Sequence, residues 1–323
     1  MTATEPDSPG TGTSTADAAG PRAPGADSSR AGAARTRAHR PARAGRPHAA
    51  WALPGVLFFA FFAVVPMALA FYLSFTSWDG LGDPVPVGLD NWRKLLDDPR
   101  LGQSLKLTVL LTVASWLFQT VVALLLGVWA AGPQRNRAVL SAVFFVPLLL
   151  SSTAVAVLFH ALLDPNFGVI RQDTLGSSSG AFLAIVFVGG WQFIPLHTLI
   201  YQGGARQIPR VLYQAAAVDG AGRYRQFFSI TLPQLRHTFT TSTVLIVVGS
   251  LTYFETVLIL TRGGPGTDTA ILPYLMYEAG FRTYDFGYAS AIASFLVLAA
   301  TGLSLLLVRL TGFGGMRSTR EGM

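Results

Sequence analysis

Three places in the sequence carry residue types that could do chemistry in an otherwise mostly apolar chain. The first is Gly176-Ser177-Ser178-Ser179-Gly180, which formally fits G-x-S-x-G. A serine nucleophile in that pattern needs a strand before it and a helix after it, so that a sharp turn presents the hydroxyl. Here the surroundings are glycine and serine, the composition of a flexible linker, and His160 and Asp164 are near only in sequence. The second is His197, inside an apolar run, where a histidine either relays protons or is packed and hydrogen-bonded. The third is Glu255, the only acidic residue within any of the long apolar runs. Tyr253 and Phe254 adjoin it, and the preceding run adds Trp191, Gln192 and Tyr201. No His/Asp/Glu group has convincing metal-ligand spacing, and the chain has no cysteine, so a thiolate metal site and a disulfide framework are both excluded. No G-x-x-x-x-G-K-[ST] occurs, so there is no ordinary phosphate cradle for ATP.

The elements that must position these residues are membrane spans. The 323 residues are 51% hydrophobic and only 13% charged, against about 25% in a soluble domain. Roughly 20 apolar residues cross the hydrocarbon core as a helix, and backbone polar groups in lipid must be paired internally. Six segments qualify, at about 51–75, 104–131, 138–162, 181–203, 238–261 and 287–310. The sequence therefore predicts an all-α membrane protein with six transmembrane helices, kinked at Pro66, Pro147 and Pro195. Residues 1–49 hold almost no large apolar side chain and read as a disordered basic cytoplasmic tail. A cleavable signal peptide ending near Ala68-Leu69-Ala70 is the competing reading, but the run from Trp51 to Phe75 is too long for one. Residues 50–312 form the transmembrane domain and 313–323 a short cytoplasmic tail.

Arginine placement sets the orientation. With the N-terminus inside, the tail, the two loops containing Arg135 and Arg223, and the C-terminal end hold most of the 24 lysines and arginines. The outside holds only Arg93, Lys94, Arg100, Lys106, Arg171, Arg262 and Arg282. Positive charge favours the cytoplasmic side, so both termini are expected there. The basic balance is thereby explained by topology and anionic headgroups, and no nucleic-acid partner is expected.

The loop at about 204–237 lies on that cytoplasmic side. Pro209 suits a first helical turn, Val211 to Val218 favour helix, and Asp219-Gly220 ends it, since glycine accepts the left-handed conformation. A second turn, Arg223 to Ser229, puts Tyr224, Phe227 and Phe228 on one face, and Pro233 opens the fifth span. Such apolar groups need cover, either from a cytoplasmic partner or from the headgroup layer.

LYQAAAVDGAGRYRQFFSITLP in this loop resembles the EAA loop of binding-protein-dependent ABC importer permeases. GLDNWRKLLDDPRLGQSLKLT at 88–108, FFVPLLLSSTAVAVLFHALLDPNFGVI at 144–170 and LTRGGPGTDTAILPYLMYEAGFRTYDFGYASAIA at 260–293 resemble other segments of the carbohydrate branch of that family, in order and from about residue 50 to 310. The match is most similar to the first permease of maltose and glycerol-phosphate-type systems. The resemblance implies a type I ABC importer permease fold in a bacterial inner membrane, with a coupling helix that sits in a groove of the ATPase. On it, Gln214, Ala215, Ala216, Asp219, Gly220, Ala221, Phe228, Ile230, Leu232 and Pro233 fall on motif positions. The family's usual glutamate is Gln214 here, so a charge-assisted contact is replaced by a neutral hydrogen bond, roughly half as strong.

The same resemblance implies the partners: a second homologous permease, a cytoplasmic ABC ATPase dimer that carries the ATP and magnesium, an extracytoplasmic solute-binding protein and a carbohydrate solute. No cofactor and no catalysis are expected on this chain. Sugar C–H faces stack on aromatics and sugar hydroxyls need hydrogen-bond partners, which a pathway of Trp191, Gln192, Tyr201, Tyr253, Phe254 and Glu255 would supply. A carboxyl at bilayer depth costs on the order of 2.5–3.5 kcal/mol, so Glu255 faces either a wet cavity or a group on the partner permease. Gly263, Gly264 and Pro265 make a sharp turn, and the resemblance puts it near the docked binding protein, where it is either a gate or a plain turn. The rival reading from another class is an ion-gradient-driven secondary carrier, which should show repeated halves and several intramembrane charges.

Overall fold

The computed structural model describes residues 49–132, 139, 142–170 and 172–310, and the description below concerns the unit that begins at Ala52. The expected tails, all but Ala49 of the first, fall outside these residues, as do Arg135, Arg137 and Arg171.

The first span, α1 (Leu53–Leu73), buries none of its large apolar side chains within the chain. Pro66 cannot donate to the carbonyl one turn back, and the preceding turn, Ala60–Val64, is widened to a π turn rather than broken. A two-residue antiparallel pair follows, Thr76–Ser77 with Val85–Pro86, the one strand pairing among the described residues. Helix α2 (Asp90–Asp97) is tied back to α1 by Asn91, whose Nδ2 donates to the carbonyls of Ser74 and Thr76 at 3.0 and 2.8 Å.

The centre of the domain is the apposition of α3 (Pro99–Ala130) with α6 (Ser178–Arg206). Small residues let the two axes approach, as is usual between helices in lipid. A Cβ on Gly190 would lie 2.4 Å from the Phe118 ring, and one on Gly127 would lie 2.6 Å from the Tyr201 Cβ. Leu111, Val155, Ile185, Val188 and Val257 fill one part of the core, and Ala123, Ile194, Tyr201 and Leu235 fill the end below it.

Two expected spans are not single helices. The segment expected at 138–162 is α4 (Val146–Leu149) and α5 (Ser152–Leu162), separated where Leu150 and Ser151 turn extended with ψ of 146° and 144°. Gln192 on α6 satisfies the freed Leu150 carbonyl at 3.0 Å, and Ser151 caps α5 through the Ala154 N–H at 3.1 Å. The segment expected at 238–261 is α10 (Arg236–Ser250) and α11 (Phe254–Leu260), bent by 46°. The loop before α10 holds α7 (Arg210–Val218), α8 (Arg223–Gln226) and α9 (Leu232–Gln234). Helices α12 (Leu272–Tyr277) and α13 (Phe286–Leu310) complete the chain. Four helices among the described residues are long and apolar enough to cross a membrane, or five with the bent pair.

Candidate functional site

The loop between α6 and α10 is a built element. Helix α7 ends as a Schellman motif: the Ala221 N–H donates to the Ala216 carbonyl at 2.8 Å and the Gly220 N–H to the Ala217 carbonyl at 3.1 Å, with Gly220 at φ +73°. The helix starts one residue later than Pro209, which stands at its N-cap. The Tyr213 hydroxyl meets the Thr231 hydroxyl at 2.9 Å, and Gln226 Nε2 donates to the Ala221 carbonyl at 2.9 Å, so both turns are fixed to each other. Tyr213, Phe227, Ile230 and Leu232 pack against buried Ile208 and Leu235 and seat the loop on the bundle. Phe227 therefore does not share the outward face expected of it; a π turn over Phe227–Thr231 rotates it inward while Tyr224 and Phe228 stay exposed. Gln214, Ala215, Asp219, Gly220, Phe228 and Pro233 are exposed, and Ala216 and Ala221 half-buried. Val218 at 89% and Tyr224 at 86% exposure mark a surface that presents apolar side chains to water.

A cavity of about 380 Å³ opens at the break between α10 and α11. Its wall combines Gln119 from α3, Ser152 from α5, Phe193 and His197 from α6, and Thr252, Tyr253, Glu255 and Thr256 at the break. Gln119 Nε2 donates to the Tyr253 hydroxyl at 2.8 Å, and the Tyr253 and Phe193 rings stack with centroids 6.2 Å apart. His197 is buried with Nδ1 3.0 Å from Ser242 Oγ, a packed and hydrogen-bonded histidine at the cavity edge. Glu255 is exposed and makes no hydrogen bond or ion pair with any described residue.

The break itself has no proline. Ser250 Oγ donates to the Val247 carbonyl at 3.0 Å and Thr252 Oγ1 to the Gly249 carbonyl at 2.9 Å, each beside a backbone N–H that the same carbonyl already accepts, so the side chains reinforce the last turn before the break.

The six residues expected to line a pathway divide. Tyr253 and Glu255 meet at this cavity. Trp191 stands edge-on to Phe159, Gln192 is committed to Leu150, Tyr201 is fully buried against α3, and Phe254 leans on Tyr277. Gln119, Thr252 and Thr256 are lining residues that the sequence did not single out. The signal for Gln119 was a stripe of polar residues along α3, with Ser104, Thr108, Ser115 and Gln119 buried at helical spacing; Thr252 and Thr256 had none.

At the far end of α6 lies the turn containing Gly263, Gly264 and Pro265. Gly263 has φ +80°, and a Cβ there would lie 2.6 Å from the Tyr274 ring, so no other residue fits. The Gly264-Pro265 bond is cis. Thr269 locks the turn through its hydroxyl to the Gly264 carbonyl at 2.8 Å, and Gln103 Nε2 reaches Thr267 Oγ1 at 3.1 Å. Ser178 donates to Asp268 and begins α6, while Ser177 caps it, so the G-x-S-x-G match is a helix start with no strand before it.

Residues 123–312 match the family described as binding-protein-dependent transport system inner membrane component. The chain belongs to this family. As such an inner membrane component it is a transport subunit and not an enzyme, and membership implies an ATPase and a solute-binding protein as partners. It is 32% identical over 268 residues to the probable ABC transporter permease YurN of Bacillus subtilis, covering 78% of this chain and 92% of that one. It is 29% identical to the multiple sugar-binding transport system permease MsmF of Streptococcus mutans, covering 79% and 90%. It is 30% identical to the diacetylchitobiose uptake permease NgcF of Streptomyces coelicolor, covering 81% and 82%. A chain of a bacterial alginate ABC transporter, solved with an alginate pentasaccharide-bound periplasmic protein, superimposes with a TM-score of 0.71 at 22% identity, over 85% of this chain and 95% of that one. The fold of this inner membrane component is therefore that of a type I ABC importer permease. A secondary carrier does not fit a family whose transport depends on a binding protein.

Proposed function

We propose that this chain is one of two permease subunits of an ATP-driven importer for a carbohydrate. The carbohydrate assignment is supported by relatives named for multiple sugars and for diacetylchitobiose. It is supported also by the cavity, where a stacked Tyr253–Phe193 pair offers an aromatic face and Gln119, Thr252, Thr256 and the unpaired Glu255 offer hydrogen-bonding groups. Among the described residues no lysine or arginine lines this cavity and Glu255 is its only carboxylate, so it suits an uncharged saccharide better than a uronate or a sugar phosphate.

The observation that carries the coupling role is the Schellman-closed helix α7, seated by Tyr213 and Phe227 and presenting Gln214, Ala215 and Val218 outward. A short rigid helix with an alanine face lets a second surface come close. It would lie in the cytoplasm against the ATPase that holds ATP and magnesium. In this reading the chain crosses the membrane six times, with residues 138–162 as the interrupted third crossing and both termini inside. Closure of the ATPase pair moves α7, the bundle switches from inward- to outward-open, and the solute released by the binding protein enters the cavity. The turn at Gly263-Gly264-Pro265 would face that binding protein, held rigid by Thr269 and Gln103.

The test is uptake into proteoliposomes holding the assembled transporter. Accumulation of a labelled neutral saccharide should require internal ATP and the binding protein. Accumulation driven by an ion gradient without either would contradict the reading.

A further inference from the structure

A second cavity, of about 540 Å³, lies where α3 and α6 both end, between Ala131 and Gly132 on one side and Ala205 and Arg206 on the other. Two membrane helices that stop at one level put this cavity at the depth of the lipid headgroups. Its wall is two-natured. Val128, Ile208 and Phe227 give an apolar floor, and Arg206, Arg210 and Arg223 stand around it. No carboxylate among the described residues lines it. All three arginine side chains are exposed, and none makes a hydrogen bond or ion pair with a described residue. Arg93, Arg100 and Arg282 are each paired with a nearby carboxylate, while Arg225, Arg262 and Arg309 are exposed without one, so it is the convergence of three arginines on one cavity that sets this place apart. Arg210 also opens α7, whose first turn has no side-chain cap; its free N–H groups are opposed by the C-terminal ends of α3 and α6, so the positive potential here is that of the three guanidinium groups.

We infer that this cavity binds an anionic phospholipid of the adjoining leaflet, its phosphate held by Arg206, Arg210 and Arg223 and its glycerol and upper acyl carbons on the Val128–Ile208–Phe227 floor. Guanidinium groups match phosphate oxygens in paired hydrogen bonds, and basic pockets between membrane helices are suited to such headgroups. The bound lipid would sit under α7 and against Phe227, the residue that seats the loop. The inference needs only that α3 and α6 end at the bilayer surface; it goes beyond the reading of α7 as a lever.

The test uses the full chain, alone and in its assembled transporter, extracted gently and analysed by native mass spectrometry with phosphatidylglycerol or phosphatidylcholine. The chain should retain phosphatidylglycerol preferentially. A basic residue near an anionic surface is worth roughly fivefold in binding, so replacing Arg206, Arg210 and Arg223 by Gln together should weaken retention about a hundredfold. Equal retention of the two lipids by the unaltered chain, a comparison that needs no variant, would overturn the proposal. Displacement of the lipid by inorganic phosphate would overturn it in favour of a free anion. Loss of the lipid when the ATPase is present would overturn it in favour of acidic side chains on that partner. Retention does not depend on coupling, so failure of the lever reading would leave this result unchanged.

Discussion

Gln119 Nε2 donates to the Tyr253 hydroxyl at 2.8 Å, and this one bond joins the central helix α3 to the break in the fifth apolar segment. Tyr253 takes ψ +40°, out of the helix, and its ring fits beside Gly189, where a Cβ would lie 2.8 Å from it. The bond thus holds the bend that opens the cavity and brings Glu255 to its wall. Gln119→Leu removes this hydrogen bond to a buried hydroxyl, which costs about 1–3 kcal/mol. The thermal midpoint of the purified chain should fall and uptake should drop with it. An unchanged midpoint would mean that the bend is held by something else.

Glu255 is the unpaired carboxylate of the cavity. Glu255→Gln keeps the shape and removes the charge. Uptake of the neutral saccharide should fall several-fold, since hydrogen bonds to charged groups are roughly twice as strong as neutral ones. ATP hydrolysis stimulated by the binding protein should persist. Unchanged uptake and unchanged preference among saccharides would remove Glu255 from the pathway.

Gly220 has open space around it but φ +73°. Gly220→Val therefore meets no clash and suffers only backbone strain, about 1–3 kcal/mol. The expected outcome is a transporter that assembles and hydrolyses ATP yet imports poorly, because the Schellman closure of α7 is loosened. Parallel assays of assembly, hydrolysis and uptake separate these. Normal uptake would remove α7 from the coupling path.

Gly190→Val addresses packing alone. A Cβ there would sit 2.4 Å from the Phe118 ring, and overpacking of this kind costs about 1–3 kcal/mol. The variant should express at a lower level and melt earlier, whereas the same change at Gly203, with open space, should be mild.

Asp98 gives a pH signature. Burial raises its carboxyl, but hydrogen bonds from the Arg100 side chain and backbone, the Tyr288 hydroxyl and the Arg100 charge outweigh it and hold the group below the usual range. A carboxyl lowered in the folded state adds stability above its unfolded value of about 3.9, and that stability is lost as pH falls through the folded value. Melting curves should therefore show an acid loss below about pH 4 that is reduced in Asp98→Asn.

Four of the spans were legible because apolar length is written directly in composition, and the end of the loop's first helix was legible because Asp219-Gly220 favours a helix stop. The breaks at Leu150 and at Leu251 to Tyr253 were not. Each depends on a polar side chain from another helix: Gln192 takes the Leu150 carbonyl, and Gln119 holds the Tyr253 hydroxyl. Hydropathy sees only that these residues are tolerated in an apolar run. Gln192 and Tyr201 were picked out as polar groups at bilayer depth, yet a distant partner decides whether such a group faces a cavity or seals a helix end. Gln119 was missed for the same reason, since its role exists only once Tyr253 arrives across the bundle.

In the proposed transporter this chain acts as one half of a permease driven by a separate ATPase. Its most direct test is to tag the C-terminus, solubilise native membranes gently and identify the co-purifying chains by mass. The account predicts a P-loop ATPase and a second, related permease. A lone chain, or a homo-oligomer with no ATPase after crosslinking, would contradict it.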